Sequence, residues 1–185
     1  MLNKLRKILK SEKNKSVFDI VLYGSATRSE QRYNDIDIAV IFLEGDLNYR
    51  LEAIEKIKDK VKPIVNKLDI KQMLLKDFFS ASFLARTGII LEGISLLDGI
   101  KISEKLGFRS YGIFFYTLDG LNHTEKIKFN YILSGRTTKG LLDQLKGTRM
   151  TSGAIKILVE NSLIFKEVLD KHKIKYSWKK ILEEM

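Results

Sequence analysis

Residues 17–42 read VFDIVLYGSATRSEQRYNDIDIAVIF. An apolar run, Ile20 to Tyr23, stops at Gly24-Ser25, and after a polar stretch a second apolar run opens with Asp35-Ile36-Asp37. Side chains alternate across a strand, so Asp35 and Asp37 project from one face while Ile36, Ile38, Val40 and Phe42 pack on the other. A carboxylate taken out of water must be paired or bound to a cation, and two side by side repel each other. The spacing therefore reads as a divalent-metal site at the start of a strand.

The flanks support that reading. The first strand covers residues 16–23, and Gly24 supplies the permissive backbone of a tight turn. Ser25 can cap a short helix over 26–31, whose free N–H groups suit a phosphate; Arg28, one turn in, can reach the same anion. The second strand runs over 35–43. Before it all, residues 1–15 read as an amphipathic helix with Leu2, Leu5, Ile8 and Leu9 on one stripe. A helix over 49–61 follows, with Leu51, Ile54, Ile57 and Val61 at helical spacing. Pro63 precedes a third strand around 65–70. Asp69 on that strand has two readings: a third carboxylate of the metal site, or a surface partner of Lys67 and Lys71. The alternation Leu68-Asp69-Ile70 mirrors Ile36-Asp37-Ile38 and favours the first. Asp77, placed to cap a helix reaching Arg86, and Glu92 are rival carboxylates that fit cap or surface roles better. Residues 88–97 close the first domain.

Gly24-Ser25, an Arg three residues past the Ser, and Asp35-x-Asp37 at the start of the next strand together resemble the nucleotidyltransferases of the DNA polymerase β superfamily, in particular their small prokaryotic minimal members. The resemblance covers about residues 15–100. It departs from the usual pattern at Ser29, where many relatives carry Gly, and at Asn34, where many carry Ser. It implies an α+β nucleotidyltransferase fold, a small mixed β-sheet flanked by helices. It also implies two Mg²⁺ (or Mn²⁺) ions on Asp35, Asp37 and Asp69, and an NTP, with ATP favoured, whose phosphates lie on Gly24, Ser25 and Arg28. Hard oxygen ligands that leave room for water and phosphate suit Mg²⁺ or Mn²⁺ over Zn²⁺.

Composition bounds the rest. The 185 residues suffice for one medium domain or two small ones. The lack of cysteine excludes disulfides, thiolate metal sites and a Cys nucleophile. No apolar run has the length of a membrane span and no signal-peptide core opens the chain, so the expectation is a cytoplasmic protein without a membrane partner. The net charge of +10 is uneven: residues 1–100 hold 17 basic and 14 acidic side chains, residues 101–185 hold 16 and 9. The expected organisation is a nucleotidyltransferase domain with an N-terminal helix over 1–100, then a smaller basic α+β domain over 101–185.

In that second part, residues 112–118 form a buried strand or part of a helix, and 121–133 a helix ended by Gly135. Thr137 or Thr138 can cap a short helix over 140–145. Residues 147–153 are a flexible turn, read more readily as a hairpin than as a phosphate loop. A strand over 154–159 precedes a helix capped by Asn161 or Ser162, with Leu163, Ile164, Val168 and Leu169 as its stripe. Basic residues interleave with aromatics near Arg136 and Trp178, an arrangement that can stack bases and hold phosphates, although aromatics at such spacing more often belong to a core. His123 and His172 have no partner that suggests catalysis.

Two functions follow. One is transfer of a nucleoside monophosphate, AMP by the resemblance, to RNA, a protein side chain or a small molecule, with residues 101–185 receiving RNA or another polyanionic acceptor. The other is a nucleotide- or nucleic-acid-binding regulator on the same fold, with a protein partner, as one half of a toxin–antitoxin pair. The presence of all three carboxylates beside Gly24-Ser25 favours the first; fold alone decides nothing here.

Overall fold

The computed structural model describes residues 1–27, 35–80 and 82–185. The chain divides into two compact units, Met1–Gly107 and Phe108–Met185. No helix among the described residues is long and apolar enough to cross a membrane.

The first unit is built on a four-stranded mixed sheet. Its strands are β1 (Val17–Tyr23), β2 (Ile36–Phe42), β3 (Leu68–Leu74) and β4 (Ile94–Ser95), in the order β3-β2-β1-β4. β1 runs antiparallel to β2 and β4, whereas β3 runs parallel to β2. A parallel neighbour needs a crossover connection, and α2 (Leu47–Val61) provides it. Asp46 caps this helix by accepting a hydrogen bond from the Tyr49 amide at 2.8 Å. Ile54, Ile57 and Val61 form its buried stripe, and Pro63 stands just past its end, where no further helical N–H can be supplied.

Alternation gives each sheet face its own core. Ile20, Leu22, Ile36, Ile38, Val40 and Phe42 pack with α2 and with Leu5 and Leu9 of α1 (Leu2–Leu9). On the opposite face Val21, Tyr23, Ala39, Ile41 and Met73 pack with Phe78, Ile89 and Ile102. Ile89 belongs to α3 (Arg86–Glu92) and Ile102 to the short α4 (Ile102–Lys105). Residue 94 also bridges Lys101, which ties the chain beyond residue 100 to this unit.

Several local expectations shift. The N-terminal helix ends at Leu9 and a 3-10 turn (Lys10–Glu12) follows, so it is shorter than residues 1–15. Asp77 does cap, but it caps a 3-10 turn (Leu75–Phe79), accepting from the Leu74 amide at 3.0 Å, and α3 starts only at Arg86. Residues 88–97 split between α3 and β4.

A buried charge lies in the first unit. Asp19, fully buried next to an irregularity in β1, accepts hydrogen bonds from Ser95 Oγ (2.7 Å) and Lys105 Nζ (2.5 Å). Lys105 also pairs with Asp98 at 2.6 Å. Burial opposes the Lys105 ammonium, but its hydrogen bonds to Asp19 and Asp98 outweigh that and hold its pKa above the ordinary lysine value. Burial likewise opposes the Asp98 carboxylate, and hydrogen bonds from Lys105 and the Ile100 amide overcome it and hold its pKa down.

The second unit is an antiparallel sheet with helices packed into its core. The order is β6-β7-β5-β8, with β5 (Phe108–Thr117), β6 (Thr148–Thr151), β7 (Ala154–Leu158) and β8 (Lys175–Glu184). Phe114, Tyr116, Ile155 and Ile157 meet Phe129 and Leu133 of α5 (His123–Ser134), Leu142 of α6 (Leu141–Gln144), and Phe165 and Leu169 of α7 (Ser162–Lys171). Residues 112–118 thus lie largely in a strand. The turn expected at 147–153 is β6 followed by a tight hairpin into β7, in keeping with the strand preference of its Thr residues.

α7 carries its stripe one position away from expectation. Ser162, Phe165 and Leu169 are buried, while Leu163 and Ile164 are 39 % and 48 % exposed. The large Phe165 ring decides this, fitting edge-on against Phe114 with centroids 4.9 Å apart. Asn161 makes no cap bond and instead donates its amide to the Leu145 carbonyl at 2.9 Å. Neither Thr137 nor Thr138 caps α6; Gly140 stands at that position. Trp178, on β8, stacks on buried Phe114 at 5.4 Å with rings 7° from parallel, so it serves the core.

The buried pair generates a prediction. Lys105→Ala leaves the Asp19 carboxylate buried without its cation, and such a loss costs about 3 kcal/mol, read as a lower urea midpoint. The pH window follows from the shift directions. The raised Lys105 pKa means its contribution is whole below the unfolded lysine value and disappears as pH rises through the folded one. The lowered Asp98 pKa means its contribution is whole above the unfolded carboxylate value and disappears as pH falls through the folded one. The difference between wild type and variant should therefore be greatest between those limits.

Candidate active site at the start of the second and third strands

The parallel register pairs Asp37 with Asp69, and the antiparallel register pairs Tyr23 with Asp37. Side chains in register on neighbouring strands share a face with about 4.8 Å between strands. Tyr23, Asp37 and Asp69 therefore form one row across β1, β2 and β3. Asp35, exposed and two residues before Asp37, belongs to the same face. The sheet brings together the three carboxylates that the sequence singled out. They stand on the face whose apolar core ends at Tyr23.

Their proximity has an electrostatic signature. Burial raises the Asp37 pKa, and the negative charges of Asp35 and Asp69 raise it further; Lys71 works in the opposite direction. Lys71, also on this face two residues past Asp69, has its Nζ 3.8 Å from Asp69 Oδ2, and both side chains are about half exposed (50 % and 52 %). The surface ion pair considered for Asp69 thus exists with Lys71, alongside the register with Asp37. Among the described residues no group of three His, Asp or Glu side chains could by itself hold a metal ion.

The backbone just past β1 lies against this row. Gly24 has φ 78°, and a Cβ placed there would collide with Asp37 Oδ2. Only glycine lets the backbone lie this close to the carboxylate. Gly24 opens a 3-10 turn (Gly24–Thr27) in which Thr27 Oγ1 donates to the Gly24 carbonyl at 2.8 Å. Ser25 is the second residue of that turn, and its Oγ is buried with no hydrogen-bond partner among the described residues. The helix expected over 26–31 extends into residues 28–34, and these, Arg28 included, lie outside the described residues.

The residues present fit a divalent cation and a phosphate. The donors are hard carboxylate oxygens that crowd one another, and a turn with an orphaned hydroxyl stands over them. Mg²⁺ keeps several waters and takes only one or two carboxylates plus substrate phosphate oxygens, so a complete protein cage is not required.

Tyr23 is the residue that sequence reasoning overlooked. Its hydroxyl is buried without a hydrogen-bond partner among the described residues, and burial together with Asp37, Asp69 and Asp35 pushes its pKa up to about 12. The run VFDIVLY shows it as one more apolar strand residue; only the register with Asp37 reveals its place. Of the rival carboxylates, Asp77 is engaged in its cap and Glu92 is buried in α3. His123 begins α5, and His172 follows α7 with its ring 6.0 Å from Phe129.

The chain is similar to several solved structures. A mutant of the MntA–HpeT toxin–antitoxin shares 23% identity over 57% of this chain and 79% of that one, with a TM-score of 0.38. A toxin–antitoxin with AMP-PNP shares 27% over 57% and 78%, with a TM-score of 0.38. A tri-AMPylated HEPN toxin of Shewanella oneidensis in complex with MNT antitoxin shares 25% over 57% and 75%, with a TM-score of 0.36. No curated protein matches. The model of the family described as "Polymerase beta, Nucleotidyltransferase" matches residues 3–98, a stretch that contains the whole carboxylate row and the turn above it. With more than half of its residues matched, the chain belongs to the polymerase beta nucleotidyltransferase family.

Proposed function

We propose that this protein transfers a nucleoside monophosphate from an NTP, with ATP favoured by the family resemblance, to a hydroxyl of an acceptor. The observation that carries the reading is the Asp37–Asp69 register under the Gly24 turn. Asp35 and Asp37 would hold Mg²⁺ or Mn²⁺, and Asp69 would complete the acceptor side. Bound there, divalent ions supply charge stabilisation to the attacking and leaving oxygens of an in-line displacement. The chain's own groups do the rest. Ser25 Oγ and the Gly24 N–H bind the β- and γ-phosphates, which fixes the leaving group, and Arg28 takes the same role on the strength of the resemblance. Asp69 accepts the proton of the acceptor hydroxyl as it attacks the α-phosphorus and pyrophosphate departs.

One observation favours a second reading. The ion pair of Asp69 with Lys71 engages the third carboxylate and so suits a non-catalytic nucleotide- or nucleic-acid-binding regulator on the same fold, such as one half of a toxin–antitoxin pair. Labelling separates the two. The protein is incubated with Mg²⁺, cellular RNA or protein, and labelled ATP, CTP, GTP or UTP in turn. Transfer predicts label in one acceptor fraction, with Asp35→Ala and Asp37→Ala each lowering it by at least about 100-fold. Asp69→Asn lowers turnover with less effect on nucleotide affinity, and Ser25→Ala weakens nucleotide binding. Full activity in Asp69→Asn would show that the third carboxylate lies elsewhere; nucleotide binding with no labelled product would favour the regulator.

A stability measurement probes the same cluster without turnover. The raised Asp37 pKa means that the folded state holds its proton more tightly than the unfolded chain, so stability falls as pH rises between the two values. Asp37→Asn removes that penalty. In EDTA it should melt above wild type at pH 7, with the gain vanishing below the unfolded carboxylate pKa. Mg²⁺ with nucleotide should raise the wild-type melting temperature more than that of the variant. Equal responses would count against a metal site on Asp37.

A further inference from the structure

The second unit carries a basic loop that the carboxylate site does not use. α5 ends at Ser134, Gly135 turns the chain at φ 77°, and Gly140 precedes α6. Between them stand Arg136, Thr137, Thr138 and Lys139. The two glycines press together at the loop's base. A Cβ on Gly135 would strike the Thr138 carbonyl, and one on Gly140 would strike the Gly135 nitrogen and the Leu133 carbonyl. The Gly135 amide, meanwhile, donates to the Tyr131 carbonyl at 2.8 Å. Four polar residues are thus held out by a closed backbone.

A groove of about 330 Å³ lies against the loop, lined among others by Tyr131, Arg136, Thr137, Thr138, Lys139 and Gln144, with no acidic side chain. The Arg136 guanidinium sits 5.4 Å from the centroid of the Tyr131 ring, which is 46 % exposed. Among the described residues neither Arg136 nor Lys139 has a carboxylate partner, and all four loop side chains from Arg136 to Lys139 are exposed. Two cations without a carboxylate partner and two hydroxyl side chains lining one groove are a donor set for an oxyanion. The planar guanidinium suits phosphate in particular. An aromatic face beside it suits a base, and the volume is at the small end of ligand pockets. Residues 108–185 hold 14 basic and 8 acidic side chains, so the surrounding field attracts the same ligand.

We propose that this groove binds a nucleoside phosphate, with Arg136 and Lys139 on the phosphate, the threonine hydroxyls adding hydrogen bonds to it and Tyr131 against the base. The ligand is either a free nucleotide or one unit of a single-stranded RNA. The site stands independently of the transfer reaction.

The full chain is titrated in EDTA with a labelled single-stranded RNA of about twelve nucleotides at increasing KCl, and separately with AMP. Arg136→Ala with Lys139→Ala should weaken binding about tenfold and flatten the slope of log affinity against log salt by about 0.7 for each phosphate that the variant no longer neutralises. Lys171→Ala with Lys175→Ala, which removes equal charge elsewhere in the unit, should change affinity less than about twofold. Loss of RNA binding alone assigns the groove to a strand; loss of AMP binding as well assigns it to a free or terminal nucleotide. Asp37→Asn should retain the binding that the loop variant loses, which separates this site from the carboxylate row. Should the alanine pair melt early, Arg136→Gln with Lys139→Gln repeats the measurement at nearly unchanged side-chain length. Failure of wild type to bind either probe, or equal weakening by the control pair, overturns the proposal.

Discussion

The parallel pairing of β2 with β3 is the constraint on which the first unit depends. It alone sets Asp69 beside Asp37, and it requires the α2 crossover, which in turn covers one sheet face. A slip of one residue in that register would exchange the faces of β3. Asp69 would then enter the core beside Ile38 and Val40, and Ile70 would turn away from the cluster that now receives it. The apolar set holds the register, and the register gathers the charges. Stability and the proposed chemistry are therefore secured by the same hydrophobic residues on opposite sides of one strand.

Two carboxylates in this sheet show how differently a protein can treat a buried or half-buried charge. Asp19 is wholly buried yet satisfied, with Ser95, Lys105 and its neighbouring amide donating to it. Asp37 is less buried and has like charges as neighbours. The first arrangement can only hold the fold together. The second has a raised pKa that a cation or a proton at the row would relieve, a kind of perturbation that clusters at functional sites.

How much of this was legible in the sequence depended on the range of the interaction. Alternation over Asp35-Ile36-Asp37 and Leu68-Asp69-Ile70 is local, so both strands and the face of each carboxylate could be read directly. The turn was legible for the same reason, since Gly24 admits what no other residue would. Asp19 could not be read in this way: its partner Lys105 is 86 positions away, and nothing in the run VFDIVLY distinguishes a paired aspartate from a solvent-facing one. Tyr23 was hidden by its apolar body. In the second unit the stripe of α7 was misplaced by one position because Leu163, Ile164 and Phe165 all satisfy helical spacing, and only the Phe114 ring on another strand decides among them.

The same distinction sorts the basic and aromatic residues that looked alike as a pattern. Phe129 goes into the core, the partly buried Trp178 packs against it, and Arg149 donates to Asn130 Oδ1 at 3.1 Å. Other basic residues of the unit stay exposed, Lys128, Lys171 and Lys175 among them, and Lys180 lies 5.6 Å from the Trp178 ring; Tyr131, Arg136 and Lys139 differ in lining one groove beside a glycine-closed loop. A diffuse positive charge would attract any polyanion at long range with little preference for place. Cations carried on a closed loop next to an exposed ring have a defined place as well as charge. The excess of basic residues in the second unit thus supplies a general field, and the groove beside Arg136 and Lys139 is a place where, on the reading proposed above, that field becomes directed bonds.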